Sequence, residues 1–397
     1  MKKLLLLGGD ATLLPVIEVA HKRGYYVITC DYLPDNIAHK YSDEYINHST
    51  TDKEDILVWA KEAKIDGVLT FTDSGVVTAA YISSNMGLRT LGAYEAIVTL
   101  QNKDKFRAFL RENGLNVPSF SYYASWEEVN VDLNKFSYPV MIKPVDAAGS
   151  KGVTKILKAE DMQTAFEYAV RFSSRQNVII EDFISPCGPQ IHGDCFIQDG
   201  KVIFHYFGDH HFDATINNLV PISTSWPSIH SESDINKVVE QVQLLVTKVG
   251  FNYGCMNVEC RINENDGKAY LIDVGARSGG NYTPYVIGYA SGFNFVEAML
   301  DYMMEGKQTE QTPIKEGYFA YLVIHTKEEG TLKNIKVSEK LNSIILEHHN
   351  YVSLGNHVRS FRGANAAVGI IIVKFGSNEQ MQYITNHLDE YIEVEVN

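Results

Sequence analysis

Tyr138-Pro139-Val140-Met141-Ile142-Lys143-Pro144-Val145, followed at once by Asp146-Ala147-Ala148-Gly149-Ser150-Lys151-Gly152-Val153, decides the fold. The first eight residues form an apolar strand that carries one lysine. A lysine among buried apolar residues is costly unless its charge has a partner. An edge strand would let it snorkel to water, but the glycine-rich loop directly after it favours an anionic partner. Small residues let backbone N–H groups approach phosphate oxygens closely. The loop is not a Walker A motif, because GxxxxGK[ST] is absent. Gly-Ser loops are mostly turns, but with Lys143 before it and Lys151 inside it, this one becomes a phosphate signal.

Upstream lies a different texture. Residues 2–8 form an apolar strand, and Gly8-Gly9-Asp10 leads into a helical pattern over Leu13–Arg23 that Gly24 closes. A strand over Tyr25–Asp31, a helix over Ile56–Ala63, a strand over Gly67–Thr72 and a helix over Val76–Met86 follow. This alternation predicts a doubly wound parallel α/β sheet to about residue 95. Gly8-Gly9 with Asp31 suggests a dinucleotide fold, yet GxGxxG is missing, so a nicotinamide enzyme is a weak alternative. Asp31, Tyr32, Thr72, Asp73 and Ser74 sit at strand C-termini, where open α/β sheets bind ligands, although helix caps and turns look the same.

Downstream, Asn102–Asn113 is a charged amphipathic helix bearing Lys105. Helices are expected over Met162–Ser173, Ser233–Val249 and Phe295–Met304. Strands are expected over Val178–Ile184, around Cys195–Ile197, and over Val202–Phe207, Asn252–Ile262 and Ala269–Val274. The last two place Glu259 and Asp273 on neighbouring apolar strands. Two such carboxylates could share Mg²⁺, which prefers oxygen ligands and bridges to substrate phosphates. Arg277 and Gly279-Gly280-Asn281 then form a polar bend suited to a substrate. From about Thr312 the strands shorten (Tyr318–His325, Ile344–Glu347, Val358–Phe361, Val368–Phe375) and a helix over Glu379–Leu388 closes a small α+β appendage. His210 and His211 are adjacent on a strand and point to opposite faces, so the two do not share a zinc; His211 is placed towards nucleotide or substrate.

Composition narrows the function. Lys and Arg total 35 against 49 Asp and Glu, a formal net charge of −14, which argues against a nucleic-acid surface. No run of about 18 apolar residues is present to span a membrane. The start, Met1–Leu7, is too short for a signal peptide and Asp10 follows it. Five cysteines without a CxxC spacing fit a reduced, cytoplasmic protein.

Lysine, lysine, small-residue loop, acidic strand, then Glu and Asp before Arg: this order resembles the ATP-grasp superfamily. The likeness is to its carbamoyl-phosphate-synthase-like and L-amino-acid-ligase-like carboxylate–amine ligase branches. It implies a doubly wound pre-ATP-grasp domain (1–100), a two-subdomain α+β ATP-grasp domain (101–312, lid about 120–184) and a C-terminal α+β domain (313–397). It further implies ATP and Mg²⁺ as cofactors, with Mn²⁺ as a substitute. The implied phosphate contacts are Lys105, Lys143 and the loop residues Gly149, Ser150, Lys151 and Gly152. Adenine recognition falls to Glu181, Asp182 and Ile184, ribose to Gln190, metal to Glu259 and Asp273, and the acyl group to Arg277, with Lys143 also catalytic. Small carboxylates and amines would be the substrates, and a homodimer is a frequent family assembly. Two positions depart from the pattern. Gln190 stands where many members have Glu, and Gly275 stands where many have a metal-binding Asn, a role Asn281 could take. A degenerate, non-catalytic ATP-binding protein of the same fold is therefore the alternative.

Overall fold

A computed structural model describes residues 1–147, 149–310 and 317–397. Ala148 of the loop and the expected boundary at 312/313 lie outside the described residues.

The chain opens with β1 (Lys3–Leu7), α1 (Leu14–Lys22), β2 (Tyr26–Cys30), β3 (Glu44–Ile46), α2 (Lys53–Ala63), β4 (Gly67–Thr70) and α3 (Asp73–Met86). The strands form a parallel sheet in the order β3-β2-β1-β4. Leu4, Leu5, Leu6 and Leu7 are all fully buried, because helices cover both faces of a parallel sheet. Leu4 and Leu6 join the core with Val16 and Ile17 of α1. Leu5 and Leu7 join the opposite core with Ile56 and Ala60 of α2 and Ile82 of α3.

Helices α4 (Tyr94–Gln101) and α5 (Lys103–Glu112) lead into a lid of β5 (Phe120–Tyr123), α6 (Trp126–Asp132), β6 (Val140–Pro144), β7 (Thr154–Ile156), α7 (Met162–Val170) and β8 (Val178–Asp182). Its antiparallel sheet has the order β5-β8-β6-β7 and packs Val140, Ile142, Val178 and Ile180 against Met162 and Phe166.

The central sheet begins with β9 (Gln190–Gln198), β10 (Lys201–His211), β11 (Ser223–Trp226), α8 (Glu232–Val249), β12 (Tyr253–Ile262) and β13 (Ala269–Gly275). Side chains alternate between its two faces with period two. Ile191, Cys195, Met256 and Val258 meet Val238, Val242 and Leu245 of α8. The alternate positions, Gln190, His192, Asn257 and Glu259, turn to the other face. Two further helices, α9 (Thr283–Ser291) and α10 (Phe295–Leu300), follow. The helix expected to run on to Met304 leaves the α form after Leu300, and Asp301–Glu305 form a π turn closed by Gly306.

The C-terminal α+β segment contains β14 (Tyr318–Ile324), β15 (Gly330–Val337), α11 (Glu339–Asn342), β16 (Ile345–Asn350), β17 (His357–Val358), β18 (Gly369–Phe375), α12 (Asn378–Asn386) and β19 (Ile392–Val396). Three of these strands extend the central sheet, whose full order is β13-β12-β9-β10-β11-β14-β18-β16. The joint is β11, a four-residue strand whose polar Ser-Thr-Ser run hides it from a hydrophobic pattern. No helix among the described residues is long and apolar enough to cross a membrane.

The middle of the sheet is packed backbone to backbone. A Cβ on Gly193 would stand 2.2 Å from the Tyr206 carbonyl oxygen, whereas one on Gly288, inside α9, meets nothing nearer than 3.4 Å. Urea denaturation should show Gly193→Ala losing about 3 kcal/mol. Gly288→Ala should gain about 0.5 kcal/mol from the lower cost of ordering alanine in a helix.

Candidate active site

A cavity of about 800 Å³ opens between the lid, the polar face of the central sheet and the start of α3. Thr72, Asp73 and Ser74 reach it from the N-terminal sheet, whereas Asp31 and Tyr32 do not line it.

The buried lysine finds its partner inside the wall of this cavity. Lys143 Nζ donates to Glu181 Oε1. Arg107, from α5, donates through Nε to Glu181 Oε2 (2.7 Å) and through Nη2 to Oε1 (3.2 Å). It also donates to the carbonyls of Leu271 (3.1 Å) and Ile272 (2.8 Å) on β13. All three side chains are buried. Burial alone would raise the Glu181 carboxyl, but the charges of Arg107 and Lys143 outweigh it and hold the group down at about 2. Adenine recognition was expected of Glu181, yet both its oxygens are engaged by these two cations. The Asp182 N–H is likewise occupied by the Ser119 carbonyl (2.9 Å), and the Ile184 carbonyl accepts from Arg261 (3.2 Å). Asp182 and Ile184 still line the cavity.

Lys105, expected from sequence to meet phosphate, is not brought to the cavity, whereas Lys103, two residues earlier, is. Lys105 is exposed on α5 and does not line the cavity. Lys103 does, donating to the Ala147 carbonyl (3.0 Å) and standing 3.5 Å from Asp273 Oδ2. At 100° per residue the two lysines lie about 200° apart on the helix. The missed signal was phase: Lys103 shares its face with Arg107, one turn on. In the small-residue loop, Gly149, Ser150 and Gly152 all have positive φ (68°, 57° and 73°), which accounts for its composition. Gly149, Ser150 and Lys151 line the cavity, and Ser150 Oγ donates to the Leu219 carbonyl (2.8 Å). Gly152 does not; it packs where a Cβ would collide with Pro144 and Phe172.

Glu259 and Asp273 stand directly opposite each other in the β12–β13 register, and both line the cavity. Gln190 donates to Glu259 Oε2 (2.9 Å) and accepts from Arg261 Nε (2.8 Å), so it orients the carboxylate. Arg277 forms a two-bonded ion pair with Asp73 (2.9 and 2.6 Å). A Cβ at Gly275 would lie 3.3 Å from the Arg277 guanidinium carbon; glycine leaves that group its room. Asn281 also lines the cavity. The bend before it is pinned by Asp194, which accepts from the Gly279 N–H (2.9 Å) and Asn257 Nδ2 (2.9 Å). Burial raises the Asp194 carboxyl to about 7 despite these bonds.

The histidine placed at the site by sequence faces the other way. His211 bonds Asn386 of α12 (3.1 Å) and Ser225 (2.8 Å), behind the sheet. His210 faces the cavity and stacks on His192 at 4.2 Å. His192 was missed, although Gln190, His192 and Asp194 alternate with Ile191, Gly193 and Cys195 and so share a face. Burial pushes His210 down to about 3 and His192 well below the usual imidazole range, so both rings are neutral.

Residues 136–284 match the ATP-grasp domain family. The chain carries an ATP-grasp domain. The whole chain superposes on an L-amino acid ligase from Bacillus licheniformis with a TM-score of 0.83 at 21% identity, covering 100% of this chain and 99% of that one. A formate-dependent phosphoribosylglycinamide formyltransferase of Synechococcus sp. strain WH7803 is 29% identical over 185 residues, 46% of this chain and 48% of that protein. A carbamoyl phosphate synthase large chain of Pseudothermotoga lettingae is 27% identical over 271 residues, 65% of this chain and 23% of that protein. The chain thus matches about half the length of the first curated relative and about a quarter of the second.

In this ATP-grasp domain Glu181→Gln leaves two buried cations without a counter-charge. The substitution should cost about 3–5 kcal/mol at neutral pH. The native carboxyl ionises at about 2 against an ordinary value of 4.5, so its contribution is full above 4.5 and is lost as pH falls towards 2. Denaturation of both proteins across this window should therefore show the difference shrinking as the pH falls.

Proposed function

We propose that this chain is an ATP- and Mg²⁺-dependent carboxylate–amine ligase acting through an acyl phosphate. One observation carries the reading. Three cationic side chains from three parts of the fold, Lys103, Lys143 and Arg277, line one cavity with the register-paired acids Glu259 and Asp273. That is the charge arrangement phosphoryl transfer needs, and no nucleophilic side chain is required. The ATP-grasp match over 136–284 and the likeness to an L-amino acid ligase agree with it.

A carboxylate oxygen of the substrate attacks the γ-phosphorus, and the bond to the β-phosphate oxygen breaks with its electron pair leaving on ADP. The amine nitrogen then attacks the acyl carbon, the carbon–oxygen bond to phosphate breaks, and the amine gives up a proton. Lys143, held by Glu181, and Lys103 meet the phosphate charge. The Gly149–Lys151 segment covers it. Arg277 exchanges Asp73 for the substrate carboxylate and holds it in line. Asp182, Ile184 and Gln190 flank the nucleotide end. An all-oxygen pair such as Glu259 and Asp273 suits a hard cation; Mg²⁺ held there, with Mn²⁺ as substitute, would neutralise phosphate charge. Five free cysteines fit a reducing compartment, the cytoplasm.

The test is a phosphate-release screen of small carboxylates against amines with ATP and Mg²⁺. Release should require one member of each class. Asp273→Asn should lower kcat roughly 10²–10³-fold without shifting Tm. Tight ATP binding with no release across the panel would instead identify a non-catalytic nucleotide-binding protein.

A further inference from the structure

Beside the carboxylate pair lies a second set of donors with different chemistry. One ring nitrogen from each of His192 and His210 and one carboxylate oxygen of Glu259 all lie within 4.8 Å of one another. His210 Nε2 is 3.9 Å from Glu259 Oε1. All three residues line the cavity.

The hydrogen-bond network assigns both tautomers. Thr224 Oγ1 donates its proton to the Tyr321 hydroxyl (2.6 Å), so it accepts from His210 Nδ1 (2.7 Å), and the Nε2 lone pair is left facing Glu259. Thr283 Oγ1 donates to the Gly280 carbonyl (2.6 Å), so it is an acceptor for His192 Nε2 at 3.4 Å. His192 Nδ1 is then a lone pair, and it is buried without a hydrogen-bond partner among the described residues. A buried acceptor left unpaired is costly. Each ring thus has one N–H anchored on a threonine and one lone pair kept open, the arrangement that orients metal-ligating histidines. Glu259 is turned in the same sense: Gln190 holds Oε2 (2.9 Å), leaving Oε1 on the His210 side.

We propose that His192, His210 and Glu259 bind a divalent transition-metal cation of the zinc class. Imidazole nitrogens suit such ions, whereas Mg²⁺ takes oxygen ligands. Two imidazoles and one carboxylate leave a fourth position open to the cavity, as in sites that exchange water for substrate. A substrate carboxylate or amine is the chemical class that would fill it. The site shares Glu259 with the Glu259–Asp273 pair but does not depend on the ligase reading, because it forms without nucleotide.

The test uses the full chain carrying Cys187→Ser, which removes the one exposed thiol. After chelator treatment, Zn²⁺ is titrated calorimetrically in excess Mg²⁺ without nucleotide, and Co²⁺ is followed by its visible absorption. One equivalent of Zn²⁺ should bind despite the Mg²⁺, and Co²⁺ should give nitrogen- and oxygen-ligated d–d bands with no thiolate charge-transfer band. His192→Gln and His210→Gln should each weaken binding by about tenfold or more, and Thr224→Val by about tenfold through the lost anchor. Asp273→Asn should keep the zinc equivalent even as it lowers phosphate release. Absence of the Co²⁺ bands in the parent protein overturns the proposal whether or not the histidine variants fold. So does zinc binding that is unchanged in folded His192→Gln and His210→Gln.

Discussion

One buried carboxylate, that of Glu181, holds two cations brought from different parts of the chain. Lys143 comes from lid strand β6 and Arg107 from helix α5, and Arg107 reaches on to two carbonyls of β13. Ions out of water repay their desolvation only when every charge and donor is satisfied. The cluster gives both cations a shared carboxylate and Arg107 two further carbonyl acceptors, and in doing so it ties the lid, α5 and the strand bearing Asp273 to one another. The position of the lysine facing the cavity is thus set by a contact made within the cavity wall.

The central sheet divides labour by parity. One face is apolar and pays for its burial against α8; the other carries Gln190, His192, Asn257 and Glu259. A strand pair can place two acids opposite each other only if the register is firm, and register is firm where one face is buried. The hydrophobic contacts behind the sheet are therefore the reason that the polar groups in front of it converge.

Much of this was legible in the sequence, and the failures have physical causes. Strands β12, β13, β14 and β18 and helices α5 and α8 emerged with near-correct limits because burial writes a strong period, whereas β9 and β10 run well beyond the expected Cys195–Ile197 and Val202–Phe207. Strands β3 and β11 and helix α4 did not emerge, because they are short or polar. The paired acids, Lys143, the loop and Arg277 were readable as chemistry out of place among apolar neighbours. Lys105 and His211 were expected at the site, but the structure brings their neighbours Lys103 and His210 to the cavity. Choosing between adjacent candidates requires the phase of a helix or the face of a strand. Phase could have been taken from Phe106 and Leu110, which are buried, and face from the alternation through Gln190, His192 and Asp194. Arg107 and the ion cluster needed tertiary structure, since Glu181 lies 74 residues away.

The Asp73–Arg277 ion pair spans 204 residues and joins the first turn of α3 to the bend after β13. At rest the guanidinium already carries its counter-ion. An anion entering the cavity meets a neutralised arginine, and its affinity is the difference between two ion pairs, not the strength of one. Weakly competing anions are turned away by that difference. Under the proposed exchange at Arg277, Asp73 would become a free carboxylate at the mouth of the N-terminal sheet, able to receive a cationic group. On that proposal, arrival of one charge at the cavity would open, on its α3 side, a place for the opposite one.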